Sequence, residues 1–246
     1  MIALLLGAAL AASPAEAYAE GIAADRAGEL PAAEGHFRAA LEAGGVDADV
    51  YLGLGNVLYR QGQRPAAITA YVRGLWLDPS HPDLRANLDH SLSQTADRIE
   101  PPAPDPGPFF WAGVGSPRLQ VWAAGLLAGL GLLRVGVRRH RGQRAFDGVG
   151  VVPFVGSLLL AVGVGALSAG RPPVVVGLTE VSVRSAPTPG SVEVFVLHAG
   201  AVVAVEEEAG EQTLVVLPDG RKGWLMNSAL MSADPGAPFP AVEAGG

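Results

Sequence analysis

The sequence predicts a multidomain membrane protein in three parts: an all-α repeat solenoid, a two-helix transmembrane hairpin and a small all-β barrel. Three observations predict it. Residues near the N-terminus recur at a fixed spacing. Two long apolar runs flank a short arginine-rich stretch. After Pro173 the pattern changes to short valine-rich runs broken by Gly and Pro.

The chain begins MIALLLGAALAASPAEA. Its apolar run, Ile2 to Ala12, is too short to span a bilayer, and Ala15–Ala17 has the small-x-small form of a cleavage site. Residues 1–17 therefore read as a secretory signal peptide, although no Lys or Arg precedes the run.

A shift of 34 residues then superposes RAGELPAAEGHF on RQGQRPAAITAY. Gly28 falls on Gly62, Pro31 on Pro65, Ala33 on Ala67, Phe37 on Tyr71 and Gly21 on Gly55. Each has a mechanical reason. Gly55 and Ala67 let two helices approach closely, with an aromatic ring filling the space beside them. Gly28 and Gly62 suit the left-handed turn that ends a helix. Pro31 and Pro65 suit the first turn of the next. Through Tyr51, Leu54, Gly55, Ala67, Tyr71 and Pro79 the segment resembles the tetratricopeptide repeat (TPR) family, whose helix–turn–helix unit has this length. Leu84, Leu88 and Leu92 recur at helical spacing in a third segment, with Ser80 as its expected N-cap. That helix would cover the open end of the repeats. A TPR solenoid with its capping helix is thus expected over 18–99. The resemblance implies a concave groove lined by the first helix of each repeat. It assigns to that groove Tyr18, Ile22, Asp25 and Arg26, and then Leu52, Asn56, Tyr59 and Arg60. Asn56 and Arg60 offer donors to a peptide, and Tyr59 a flat apolar face.

EPPAPDPGP reads as an extended, helix-breaking linker within 100–118. Residues 119–137 and 149–169 are expected as transmembrane helices 1 and 2. The loop between them, 138–148, is bounded by Arg134 and holds Arg138, Arg139, Arg141 and Arg144. Five of the 16 Arg in the chain crowd there, which by the positive-inside rule places the loop in the cytoplasm and both flanks outside. Gly125 and Gly129, with Ser157, Ala161, Gly165 and Ala169, are expected to let the two helices pack closely.

From Pro173, the strands are separated by acidic and Gly/Pro turns, with Asp219-Gly220 as a hairpin turn. VSVRSAPT, VLHAG and PDGRKGW in this order resemble a bacterial SH3-like domain over 174–231. The resemblance implies a small barrel of about five strands burying Val181, Val183, Phe195, Val203, Val205, Val215 and Trp224. Gln212-Thr213-Leu214 stands where such domains often carry a Trp. Residues 232–246 read as a disordered tail.

Composition narrows the chemistry. The chain carries 17 basic and 24 acidic residues, a net charge of −7, which argues against a nucleic-acid partner. It has no Cys, so thiol catalysis and cysteine metal sites are excluded. The five His are scattered, none at metal-ligand spacing, and read as surface or turn residues. No nucleotide-binding, serine-hydrolase or zinc-protease motif is present. No cofactor, metal or catalytic residue is expected. The complete order of parts, above all YLGLGNVLYRQGQRPAAITAYVRGLWLDPSHPDLRANLDHSLSQTADRI, is similar to the BatE family, the TPR member of the Bat aerotolerance gene cluster. That resemblance implies a non-enzymatic adaptor or scaffold of the bacterial cell envelope. It would sit in the cytoplasmic (inner) membrane with its TPR and SH3-like domains on the extracytoplasmic side. The implied partners are von Willebrand-type membrane proteins and a MoxR-type ATPase system, besides membrane lipids. The alternative expectation is peptidoglycan binding or sensing through the SH3-like domain.

Overall fold

Five N-terminal helices follow one another as paired hairpins, and each boundary has a local cause. The structure is a computed structural model that describes residues 13–97, 99, 117–142, 148–168, 173–177 and 179–240. Most of the expected signal peptide, nearly all of the linker, Arg144 and the last six residues lie outside these. The chain divides into two compact units, residues 1–102 with 172–246, and residues 103–171.

In the first unit, α1 spans Pro14–Ala27. Ser13 caps it, accepting from the Glu16 N–H at 3.2 Å while the Glu16 carboxylate accepts from the Ser13 N–H at 2.8 Å. The expected boundary between residues 17 and 18 therefore falls one turn inside α1, where Ala17 is buried. Gly28 closes the helix at φ 79°, and α2 runs Leu30–Glu42 with Pro31 in its first turn. α3 spans Ala48–Arg60, capped by Asp47, and α4 spans Arg64–Leu77. Gly62, between them, again has φ 79°, so the 34-residue register holds in the backbone. α5 spans Pro82–Leu92, with His81 rather than Ser80 at its N-cap. Ser80 instead donates to Asp78. The packing repeats too. A Cβ on Gly21 would lie 2.8 Å from the Phe37 ring, and one on Gly55 would overlap the Tyr71 ring.

Seven antiparallel strands complete this unit: β1 (Val174–Val176), β2 (Glu180–Arg184), β3 (Glu193–His198), β4 (Val202–Ala209), β5 (Gln212–Val216), β6 (Lys222–Met226) and β7 (Leu230–Ser232). Their order is β3-β2-β6-β5-β4-β1-β7. The β5–β6 hairpin turns at Asp219-Gly220, where Gly220 has φ 85° and its N–H reaches the Leu217 carbonyl at 2.9 Å.

This architecture corrects the expected fold class. The helices are not an all-α TPR solenoid standing apart from a small barrel. They share a unit and a hydrophobic core with a seven-stranded sheet, whose end strands β3 and β7 do not pair. Val175, Val202 and Ala233 belong to the same core as Phe37, Tyr51, Leu54, Ile68 and Tyr71. The physical reason lies in α4. Every residue from Ala66 to Gly74 is buried, so the helix needs cover on all sides. α3 and α5 supply two sides, and β1 and β7 another. Of the expected barrel core, Val181, Val183, Val203 and Val215 are buried, but Phe195, Val205 and Trp224 are half-exposed. Leu197 and Leu225 are buried with the valines.

The second unit contains α6 (Pro117–His140) and α7 (Gly148–Ser168), packed against each other. Among the described residues one stretch is long and apolar enough to cross a membrane, Leu119–His140 in α6. Its 22 residues rise ~33 Å, against a hydrocarbon core of about 30 Å. Leu119, Trp122, Leu126, Leu132 and Leu133 are exposed along it. The described apolar stretch of α7, Val151–Val162, rises only ~18 Å, so the expected two-helix transmembrane hairpin is not obtained. Gly125 and Gly129 do not make the close approach; a Cβ on either would meet nothing within 4 Å. The tight contact is Gly131 against the Phe154 ring, at 2.8 Å for an added Cβ.

Candidate functional site

Leu52, Asn56, Tyr59 and Arg60 lie one turn apart on α3, on the face that α1 and α5 flank. Polar side chains tie the three helices together there. The Arg60 guanidinium pairs with Asp25 of α1. The Asn56 carbonyl oxygen accepts from the Tyr71 hydroxyl at 3.0 Å and from Asn87 of α5 at 2.8 Å. The Tyr59 hydroxyl accepts from Gln94 at 2.8 Å and lies 3.0 Å from Nε2 of His90. The Tyr59 and His90 rings also touch, with centroids 5.7 Å apart. Asp49, in the first turn of α3, meets His81 at 3.1 Å.

These ties settle where the expected groove residues stand. Asp25 and Arg60 are brought together, yet Arg60 keeps 47% of its side chain exposed. Asn56 and Tyr59 hold α5 in place with their oxygens. Tyr18, Ile22 and Leu52 are half-buried against the helical core, the Tyr18 ring tilted against that of Phe37 with centroids 5.9 Å apart. Burial, and then the negative charges of Asp49 and Asp47, push the Tyr18 hydroxyl above the usual phenol range. Arg26 is exposed in the last turn of α1, where the helix dipole favours a cation. Arg138 and Arg139 occupy the last turn of α6, Arg134 a turn earlier and Arg141 the turn beyond. The expected loop thus starts inside the helix. Asn87, His90 and Gln94 were not expected on this face, although the three-residue spacing of Asn87 and His90 on α5, with Gln94 in the turn just beyond it, marks them as neighbours.

A second polar site was not legible at all. Residues 233–240, expected within a disordered tail, lie against α2, α3 and α4. Arg73 is fully buried, and its guanidinium donates to the carbonyls of Ser232 (2.8 and 3.1 Å), Ala237 (2.8 Å) and Pro238 (3.2 Å). The Tyr51 hydroxyl donates to the Pro235 carbonyl at 2.9 Å. Arg38 donates to the carbonyls of Pro240 (3.1 Å) and Phe239 (3.4 Å). The Phe239 ring lies 4.9 Å from both guanidinium carbons. Burial lowers the Arg73 pKa below the ordinary guanidinium value and raises that of Tyr51 above the phenol value.

On the sheet, Trp224, Arg184, Thr188, Gln212 and Met226 line a cavity of about 280 Å³. Comparisons of the chain with protein-family models, with curated proteins and with solved structures returned no match.

Proposed function

We propose that this is a non-enzymatic, membrane-anchored adaptor of the bacterial cell envelope, of the BatE type, which holds a protein partner on the α1–α3–α5 face. The observation that carries the reading is the cross-tied row of Asp25, Arg60, Asn56 and Tyr59, with Arg26 and half of Arg60 left open to solvent. Such ties pre-organise donors at little further entropic loss, which favours recognition of an extended or helical segment. The apolar Leu119–His140 helix supports membrane attachment. Its C-terminal arginines favour a cytoplasmic position for that end of the helix, and so attachment to the inner membrane. Von Willebrand-type membrane proteins and a MoxR-type ATPase system are the partners this reading entails.

Photocrosslinking in the native membrane tests it. A photoreactive residue at Leu52 should capture a discrete partner, and one at Arg64, exposed at the start of α4, should not. Equal capture at both positions, or none at Leu52, rejects the adaptor face. The half-exposed Trp224 in its cavity favours a second reading, peptidoglycan binding by the sheet. Saturable binding of the full chain to glycan strands, lost in Trp224→Ala, would establish that reading instead.

A further inference from the structure

The contacts of residues 233–240 are those of a bound peptide. A structural strap is ordinarily held by apolar side chains. Here the helices grip main-chain oxygens: five carbonyls, from Pro235, Ala237, Pro238, Phe239 and Pro240, each receive a hydrogen bond from Arg38, Tyr51 or Arg73. One side chain, Phe239, is clasped between the two guanidinium groups. The segment also carries its own shape. Asp234 accepts from the Gly236 N–H at 2.8 Å, which sets a turn before the Pro-Phe pair.

Two features make this occupancy exchangeable. The surface beneath the segment is polar at its hydrogen-bonding points, so opening it returns a guanidinium and a phenol hydroxyl to water, and the apolar contact given up is chiefly that of the Phe239 ring. The segment also fills the site incompletely. A cavity of about 290 Å³ remains between it and Leu41, Glu42 and Val46, and Val46 is 43% exposed.

We propose that the Arg38–Tyr51–Arg73 face is a second protein-binding site, which takes a proline-rich segment bearing a phenylalanine from another protein, and that residues 234–240 occupy it in cis. The site is separate from the α1–α3–α5 face and does not depend on it. A tethered segment competes at an effective concentration on the order of 1 mM. A free peptide with a dissociation constant of ~50 µM would then bind the intact chain about twentyfold more weakly than a chain lacking the segment.

The test uses a fluorescent peptide with the sequence of residues 233–240 and the full chain in detergent. Deleting residues 234–246 should strengthen peptide binding at least tenfold, and Arg73→Met in that shortened chain should abolish it. Phe239→Ala in the full-length chain should also strengthen binding severalfold, because the cis ligand loses its ring. Arg64→Ala, at the exposed start of α4, should leave peptide binding unchanged. The proposal is overturned if the shortened chain keeps its helical circular dichroism yet fails to bind at 1 mM peptide. It is equally overturned if the shortened chain loses its helical fold, or if Phe239→Ala leaves binding as it was.

Discussion

Gly55→Ala is the sharpest test of how the helical hairpins pack. The added Cβ would lie 2.6 Å from Cδ1 and 3.0 Å from Cζ of Tyr71, and closer still to Cε1. Ordinary contact begins near 3.4 Å. The ring has nowhere to go: Tyr71 is 2% exposed and its hydroxyl is held by Asn56. Overpacking of this kind costs roughly 1–3 kcal/mol. Alanine in a helix interior returns up to about 1 kcal/mol relative to glycine. The net expectation is a loss of about 1–2 kcal/mol, with the melting midpoint lowered by roughly 2–8 °C. Gly35→Ala supplies the contrast. It lies inside α2, is exposed, and its added Cβ would meet nothing within 4 Å. There the helix-propensity gain of up to ~1 kcal/mol stands alone, and stability should rise. Urea unfolding followed by circular dichroism reads both variants. If Gly55→Ala is as stable as the parent chain, the argument from close helix approach is wrong.

Other variants probe the electrostatics. Burial holds the Tyr71 hydroxyl above the usual phenol range, so the folded chain keeps a proton that the unfolded chain loses. That stabilisation is complete below about pH 10 and declines as pH rises beyond it. Tyr71→Phe should blunt this alkaline loss in a pH series of unfolding curves, while the lost bond to Asn56 lowers stability at neutral pH by about 0.5–1.5 kcal/mol. The Ser13 N–H and then its hydroxyl hold the Glu16 carboxyl below its usual range. The stability this lends α1 is present above the ordinary carboxylate value and fades as pH falls through the lowered one. Ser13→Ala should shift the Glu16 titration, read by NMR, upward. Arg60→Gln breaks a half-exposed pair with Asp25 and should change stability by under ~1 kcal/mol, while reducing partner capture at Leu52.

The sequence alone determined what is local or periodic. The 34-residue register places Gly28 and Gly62 at the same φ of 79°, and sets Phe37 and Tyr71 over Gly21 and Gly55. Those positions are readable because chain geometry requires them: a left-handed turn needs glycine, and a close helix pair needs a missing Cβ. The Asp219-Gly220 turn and the apolar run of α6 are legible for the same kind of reason. Tertiary structure decided what no period encodes. Thr69, inside α4, is fully buried; its hydroxyl donates to the Pro65 carbonyl at 2.9 Å and lies 3.6 Å from the Met231 sulfur. Arg73 stands out in no sequence pattern, but is enclosed by carbonyls about 160 residues away in the chain. Trp224 reads as a barrel core residue, but opens onto a cavity. Periodicity says which side chains share a face of a helix or strand. It does not say which distant element covers that face, and α4 is enclosed because a sheet formed much later in the chain packs on the side a repeat alone would leave to water.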